Sequence, residues 1–201
     1  EGSTAWNYLK SRNLLEWIDY FMVSPDGRLA ILNIGPEWSD GYYNRVIGIQ
    51  TRSLIPNSGP KYLTYTIERL NEEMGRKYKI EPGTDIYMNR HSQIFKSLWI
   101  DESKPVTVVE GPIDALAIPN AIAMCGITKN VKGIDSHPQY RFLFDNDNVG
   151  LTKSKEKITQ GKRVFNWKAY LQDNGLDSNL KDINEVLITT QTLPNIEPYF
   201  I

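Results

Sequence analysis

Hydrophobic and polar positions change their spacing along this chain of 201 residues. In the first half, apolar residues at helical spacing over 5–21 predict one or two short helices. The apolar segments 27–34 and 45–51 flank the turn-rich sequence EWSDGYY and predict a pair of antiparallel strands. We interpret 53–65 as a loop because it contains two prolines and a glycine. The remaining segments predict a polar helix at most over 67–80, a strand over 85–89 and a helix over 90–100.

The second half alternates between strand and helix patterns, which predicts a compact parallel α/β sheet. Predicted strands cover 106–109, 121–125, 140–145 and 162–167. Predicted helices cover 112–118, 150–160 and 182–188. The polar segment 101–105 ends in proline and separates the two halves. We therefore predict an α/β protein with an α+β domain over 1–104 and a parallel α/β domain over 105–201.

Acidic residues lie at the ends of these second-half segments. Glu110 follows a strand in the sequence VTVVEGPIDALAI, Asp145 and Asp147 follow another, and Asp182 precedes the last helix. The carboxyl ends of parallel strands share one edge of a sheet, where ligands bind in open α/β folds. Neighbouring carboxylates raise each other's pKa unless a cation is present, and Mg²⁺ prefers carboxylate, water and phosphate oxygens. The pattern therefore predicts a magnesium site.

Each of these acids also has an ordinary structural role available to it. Asp182 is placed to cap a helix, and Asp147 is placed to stabilise a turn. Glu110 and Asp114 are equally compatible with solvated acids in a simple βα unit. The coincidence of three acidic segments favours the metal site over three separate structural roles.

Composition and charge exclude several classes of protein but do not identify the class to which this one belongs. The net charge is −1, which gives no sign of strong autonomous binding to nucleic acid. The single cysteine, Cys125, excludes an internal disulfide and a cysteine-rich zinc module. The sequence contains no signal peptide and no membrane-spanning run, so we expect a cytoplasmic protein with no membrane contact. The chain does not begin with Met, and we expect a fragment of a longer protein.

Two motifs in the second half resemble the signature of the TOPRIM domain of topoisomerases, primases, RecR-type repair proteins and small nucleases. The sequence EG-x-x-D begins at Glu110, and D-x-D-x-x-G begins at Asp145. The resemblance covers 106–188 and implies metal-dependent phosphoryl transfer. It assigns Glu110, Asp145 and Asp147 as catalytic acids and metal ligands, adds Asp182 as a further ligand, and gives Asp114 a supporting role behind them.

The first half resembles the basic motif of DnaG-type primases. In that family G-R-V-I-G-F-G-x-R precedes P-K-Y-L-N, and here 44–64 reads NRVIGIQTRSLIPNSGPKYLT, with Asn, Gln and Thr at three of the family's positions. The sequences YLKSRNL and KDINEVL are similar to two further segments of the family, and the sequence most resembles phage primases. The resemblance implies that Arg45, Arg52 and Lys61 bind nucleotide or template. Without it, solvated surface cations are the simpler interpretation.

Taken together, the resemblances imply the RNA polymerase core of a DNA primase. Such a core synthesises short RNA primers from ribonucleoside triphosphates on single-stranded DNA, with Mg²⁺ or Mn²⁺, beside a fused or separate replicative helicase. The family's zinc-binding module is missing from this chain. The alternatives are a TOPRIM nuclease of the OLD type and a non-enzymatic TOPRIM scaffold. A RecR-type protein is a poorer match because it needs four cysteines.

Overall fold

The computed structural model describes residues 2–23, 27–34, 46–56, 59, 62–66, 94–125 and 139–201. The chain divides into two compact units, Glu1–Trp99 and Ile100–Ile201. One contains an antiparallel sheet and the other a parallel sheet. The predicted α/β class is therefore confirmed. The assignment of 1–104 and 105–201 as functional domains stays a prediction.

The first unit begins with two short helical segments, as the apolar spacing predicted. Helix α1 spans Thr4–Ser11, and a 3₁₀ helix spans Leu15–Tyr20. Ser3 caps α1 because its hydroxyl accepts the Trp6 N–H at 3.2 Å. The buried side chains of α1 are those of Ala5 and Leu9, which lie one turn apart on one face.

An antiparallel sheet follows, with strand order β1-β2-β3-β4. Its strands are β1 Phe21–Val23, β2 Leu29–Ile34, β3 Val46–Arg52 and β4 Tyr62–Thr66. The predicted antiparallel pairing of β2 with β3 is confirmed. The loop predicted over 53–65 is wrong at its end, because Tyr62 already pairs with Arg52. Pro56 lies in the connection between β3 and β4, and cross-strand pairing decides where β4 begins.

The helix predicted over 90–100 is wrong in its described part, where residues 94–100 form a bridge and turns. The side chain of Asn33, in β2, forms hydrogen bonds with backbone groups of residues 94 and 96 that a helix would have paired within itself. Its Oδ1 accepts the Lys96 N–H at 3.1 Å, and its Nδ2 donates to the Ile94 carbonyl at 3.1 Å. Lys96 has a φ of 62°, which is incompatible with a continuing helix. The elements predicted over 67–80 and 85–89, and residues 90–93, lie outside the described residues.

The second unit contains the predicted parallel sheet, in the order β6-β5-β7-β8. Its strands are β5 Val106–Val109, β6 Ala121–Ala123, β7 Tyr140–Leu143 and β8 Arg163–Val164. Its helices are α2 Pro112–Ala117, α3 Asn148–Thr159, α4 Trp167–Asp173 and α5 Ile183–Thr190. Every residue of β5 is buried, as expected for an inner strand of a parallel sheet, and every residue of the edge strand β6 is buried as well. This order places the ends of β5 and β7 side by side.

The strand predicted over 162–167 is shorter than expected, and Trp167 instead begins α4. The Asn166 side chain caps this helix by accepting the Ala169 N–H at 3.2 Å. The Trp167 indole N–H donates to the Phe144 carbonyl at 2.7 Å. Phe165 lies with its ring centroid 5.0 to 5.3 Å from those of Trp167, Tyr170 and Phe200. Packing of these aromatic rings decides where the strand ends.

A buried arginine ties the C-terminal segment to the sheet. Arg141 of β7 donates from Nη1 and Nη2 to the two carboxylate oxygens of Glu197 at 2.5 and 2.6 Å. Its Nε donates to the Thr107 hydroxyl at 3.0 Å. Its guanidinium lies 4.0 Å from the centroid of the Phe200 ring. All three contacts connect neighbouring parts of the unit around one buried charge.

We expect Glu197→Ala to lower the free energy of unfolding by about 2 kcal/mol, because Arg141 then stays buried without its carboxylate partner. The figure is below that of a fully buried pair because the Glu197 side chain is 59% exposed. Arg141 lowers the pKa of Glu197 below its ordinary 4.5. The stabilisation is therefore complete above that pH and is lost as the pH falls below it.

Urea unfolding at neutral and at acid pH measures this difference. Glu156→Ala, at an exposed position of α3, is the control and should change stability by no more than about 0.5 kcal/mol. Equal losses in the two variants, or a Glu197→Ala effect that persists at acid pH, would contradict the assigned role of the ion pair.

Candidate active site

Two of the predicted acids meet where neighbouring strands end. Val109 and Leu143 are paired in register at the ends of β5 and β7, so Glu110 and Asp145 leave the sheet side by side. The Asp145 backbone N–H lies 3.4 Å from Glu110 Oε1 and donates to it. The parallel pairing of the strands is therefore what brings together residues that are 35 positions apart in sequence.

The electrostatics of Asp145 show that further carboxylates are close. Its pKa is raised to about 7 by burial, and then by the charges of Glu110, Asp182 and Asp147, while the Lys153 ammonium opposes the rise. Among the described residues, no hydrogen bond to the Asp145 carboxylate is found. We call Glu110, Asp145, Asp147 and Asp182 the acidic cluster. Asp145 therefore keeps its proton to a higher pH than an ordinary aspartate does.

Asp147 and Asp182 also have the structural roles that their positions allowed. Asp147 caps α3, and its Oδ1 accepts the N–H groups of Val149 at 2.9 Å and Gly150 at 2.8 Å. Asp182 caps α5, and its Oδ1 accepts the Glu185 N–H at 2.7 Å. Both caps use the Oδ1 atom of the carboxylate. Capping and participation in the acidic cluster are therefore compatible for these two residues.

Asp114 lies behind the cluster and connects two helices. Its Oδ1 accepts the backbone N–H of Asn184, at the start of α5, at 3.2 Å. Burial raises its pKa well above the ordinary value, and the charges of Asp182 and Asp145 raise it further. A Cβ on Gly111 would lie 3.3 Å from Asp114 Oδ2, so the turn after Glu110 closes tightly on this carboxyl. The supporting role that the family resemblance implies for Asp114 stays a prediction.

Sequence reasoning missed Lys153, which forms an ion pair with the acidic cluster. Its Nζ lies 2.6 Å from Glu110 Oε2 and 5.7 Å from the centroid of the Phe144 ring. The available signal was its place in the second turn of α3, the helix that Asp147 caps. That signal is weak, because a lysine in a lysine-rich helix is usually a solvated residue.

Of the predicted basic residues, Arg52 is described, whereas Arg45 and Lys61 lie outside the described residues. The Arg52 guanidinium is 5.0 Å from the Tyr8 ring centroid and 5.2 Å from that of Tyr62. Its Nη1 also donates to the Tyr62 hydroxyl. Cation–π contacts to two rings restrict the orientation of this guanidinium. Arg52 is therefore a pre-positioned cation rather than a freely mobile one.

The donor chemistry of the acidic cluster fits a hard divalent cation. The four side chains offer only oxygen ligands, and crowding of their charges accounts in part for the raised pKa of Asp145. In the described part of the chain, no three His, Cys, Asp or Glu side chains are arranged so as to hold a metal ion. In the observed arrangement, Lys153 is a positive charge in contact with the cluster.

Comparisons with known proteins give a limited result. No family model matches the chain. No curated protein matches it either. Among solved structures, it is similar to the Aquifex aeolicus primase (zinc-binding and RNA polymerase domains), with 20% identity and a TM-score of 0.42 over 82% of this chain and 42% of that one.

It is also similar to the RNA polymerase domain of Mycobacterium tuberculosis primase DnaG. One structure of that domain matches at 15% identity and a TM-score of 0.42, over 80% of this chain and 57% of that one. Another, in complex with double-stranded DNA, matches at 16% identity and a TM-score of 0.43, over 80% and 52%. The chain therefore spans about half the length of the solved chains that it resembles.

Within the described residues, no helix combines the length and the apolar character that a membrane crossing requires.

Proposed function

We propose that this chain is the catalytic core of a DnaG-type primase, with a TOPRIM domain over 105–201 and a basic subdomain over 1–104. The proposal rests on one observation above all. The acids of two separate sequence motifs, Glu110 and Asp145, are neighbours at the ends of adjacent parallel strands. The resemblance of 44–64 to the primase basic motif narrows the activity from phosphoryl transfer in general to synthesis of RNA primers.

In this proposal Glu110, Asp145, Asp147 and Asp182 would hold Mg²⁺, or Mn²⁺ in its place. A metal ion held there would supply Lewis acidity for the attacking 3′-hydroxyl and positive charge for the triphosphate. The pKa of the Asp145 carboxyl is raised to about 7, so a cation that binds it near neutral pH would displace a proton. Asp114 positions the turn after β5 through its hydrogen bond to the start of α5.

The basic subdomain supplies cations for the nucleotide or the template. Arg52 suits this role because a guanidinium already held beside two aromatic rings loses less freedom on binding a phosphate. Arg45 and Lys61 belong to the same motif and complete the proposed set. The proposed partners are single-stranded DNA, ribonucleoside triphosphates, a fused or separate replicative helicase and a zinc-binding module, in a bacterial or phage-infected cytoplasm.

Incorporation of labelled ribonucleotides on single-stranded DNA, with Mg²⁺ or Mn²⁺, tests the proposal. A second template carries an annealed RNA primer, so that elongation is measured even where initiation needs the zinc-binding module. Primer-dependent synthesis supports a primase core. Metal-dependent cleavage of the DNA without synthesis would replace the proposal by an OLD-type nuclease. If the folded protein shows neither synthesis nor cleavage, the remaining alternative is a non-enzymatic TOPRIM scaffold.

We expect Arg52→Ala and Lys61→Ala each to reduce incorporation about ten- to a hundredfold, because each removes a charge-assisted phosphate contact. The loss should be mainly in the KM for nucleotide or the affinity for template. Arg52→Lys should not restore activity fully, because an ammonium lacks the planar, stacked geometry of the guanidinium.

Steady-state kinetics and calorimetric Mn²⁺ binding measure these effects separately. Lys155→Ala, at an exposed position of α3, is the matched control for removal of one positive charge. Wild-type kinetics in both basic-motif variants would show that these cations do not contact the substrates. A loss of Mn²⁺ binding would instead show that the substitutions disturb the metal site.

A further inference from the structure

We propose that Lys153 is a built-in counter-cation of the acidic cluster, whose ammonium group holds Glu110 and competes with a divalent cation for that carboxylate. This inference rests on the proposed metal-dependent function of the cluster. It assigns a role to a residue that neither the TOPRIM motifs nor the basic motif includes. It also predicts how tightly the chain binds its metal.

Glu110 contacts both the ammonium group of Lys153 and the backbone of Asp145. Its Oε2 lies 2.6 Å from Lys153 Nζ, and its Oε1 accepts the Asp145 N–H at 3.4 Å. Both carboxylate oxygens therefore already have protein partners. A metal ion that binds Glu110 must displace the ammonium group or approach it closely.

The ion pair of Lys153 and Glu110 is partly shielded from solvent. The side chains of Lys153 and Glu110 are 31% and 27% exposed. By contrast, the side chains of Lys104 and Asp101 are 70% and 45% exposed in their ion pair. Salt and water screen a partly buried pair less than a surface pair. The Phe144 ring lies beside the ammonium group, with its centroid 5.7 Å away.

The positive charge of Lys153 offsets part of the negative charge of the acidic cluster. Four carboxylates attract divalent cations, and one ammonium group at contact distance reduces that attraction. Lysine is suited to such a role because its four-carbon stem is flexible, so the ammonium group moves aside when a stronger cation arrives. Lys153 therefore stabilises the cluster before the metal binds and lowers its affinity for the metal.

Lys153→Met tests the proposal because it removes the charge but keeps most of the apolar stem beside Phe144. Lys153→Arg keeps the charge, and Lys155→Met removes a lysine from another position of the same helix. Mn²⁺ binding to the full chain, without DNA or nucleotide, is measured by calorimetry and by electron paramagnetic resonance. Thermal midpoints are recorded without divalent cations and with saturating Mg²⁺.

We expect Lys153→Met to bind Mn²⁺ about tenfold to a hundredfold more tightly than the wild type, as expected for removal of one charge in contact with a ligand. Its thermal midpoint should fall without metal and should return to the wild-type value, or exceed it, with saturating Mg²⁺. Lys153→Arg and Lys155→Met should keep the wild-type affinity. Lys153→Gln repeats the test with a polar, uncharged residue where the methionine variant folds poorly.

Wild-type Mn²⁺ affinity in both uncharged Lys153 variants would overturn the proposal and leave an ordinary ion pair. Absence of Mn²⁺ binding in every variant and in the wild type would overturn it as well. Failure of primer synthesis does not touch this result, because the binding measurement needs no substrate. Conversely, primer synthesis with unchanged Mn²⁺ affinity in the Lys153 variants would support the proposed function and reject the role of Lys153.

Discussion

Gly150→Ala is expected to lower the free energy of unfolding by about 3 kcal/mol or more, a cost at the upper end for inserting one methyl group. A Cβ at this position would lie 1.9 Å from the Asp145 carbonyl oxygen and 2.9 Å from its carbonyl carbon. The conflict is with backbone, so no side-chain rotation relieves it. Either the first turn of α3 or the segment that carries Asp145 must move.

The same displacement should weaken Mn²⁺ binding, because Asp145 belongs to the acidic cluster. Urea unfolding and calorimetric Mn²⁺ titration measure the two effects. Ser154→Ala, in the same helix, is the control and should leave stability within about 0.5 kcal/mol of the wild type. Unchanged unfolding and unchanged Mn²⁺ binding in Gly150→Ala would show that the close approach at Gly150 is unimportant. The close approach of the Asp145 backbone is a packing reason for glycine at the last position of D-x-D-x-x-G.

Local sequence signals were sufficient for the elements that position the cluster. The valine-rich run of β5 and the proline at the first position of α2 define the βα unit around Glu110. Alternation of strands and helices predicted a parallel sheet, and the parallel sheet explains why Glu110 and Asp145 meet. Each step follows from periodicity or from the geometry of parallel strands, so one sequence was enough.

The missed features depend on contacts between residues that are distant in sequence. Lys153 reaches Glu110 across 43 positions, and Asn184 donates to Asp114 across 70. Asn33 similarly reorganises residues 94–96, which have helical spacing but form hydrogen bonds to β2 instead. Helical periodicity indicates that one face of a segment is apolar. It does not indicate which polar side chain from another element will satisfy the backbone.

Replacing Asp145 by asparagine should abolish nucleotide incorporation, with a loss of at least about a thousandfold, because the proposed metal ligand becomes a neutral amide. The same change should stabilise the protein when no divalent cation is present. The pKa of Asp145 rises from 3.8 to about 7 on folding, so the folded state holds this proton more tightly than the unfolded state. Ionisation of Asp145 therefore costs stability as the pH rises through this window.

The advantage of Asp145→Asn should be absent below pH 4 and complete above pH 7, where we expect about 2 kcal/mol after allowance for partial exposure of the side chain. Urea unfolding from pH 4 to pH 8 without divalent cations measures it. Asp145→Asn activity near that of the wild type would refute the metal assignment, and a pH-independent stability difference would refute the charge argument.

Asp147→Ala is the informative comparison, because Asp147 caps α3 through two backbone N–H groups. Loss of the cap should cost about 1 kcal/mol at every pH studied, whereas Asp147→Asn keeps a capping oxygen and most of the stability. Both Asp147 variants should still lose nucleotide incorporation, as Asp145→Asn does. Two acids of one motif would then share a catalytic requirement but affect stability in opposite directions, since one mainly crowds its neighbours and the other also holds a helix in place.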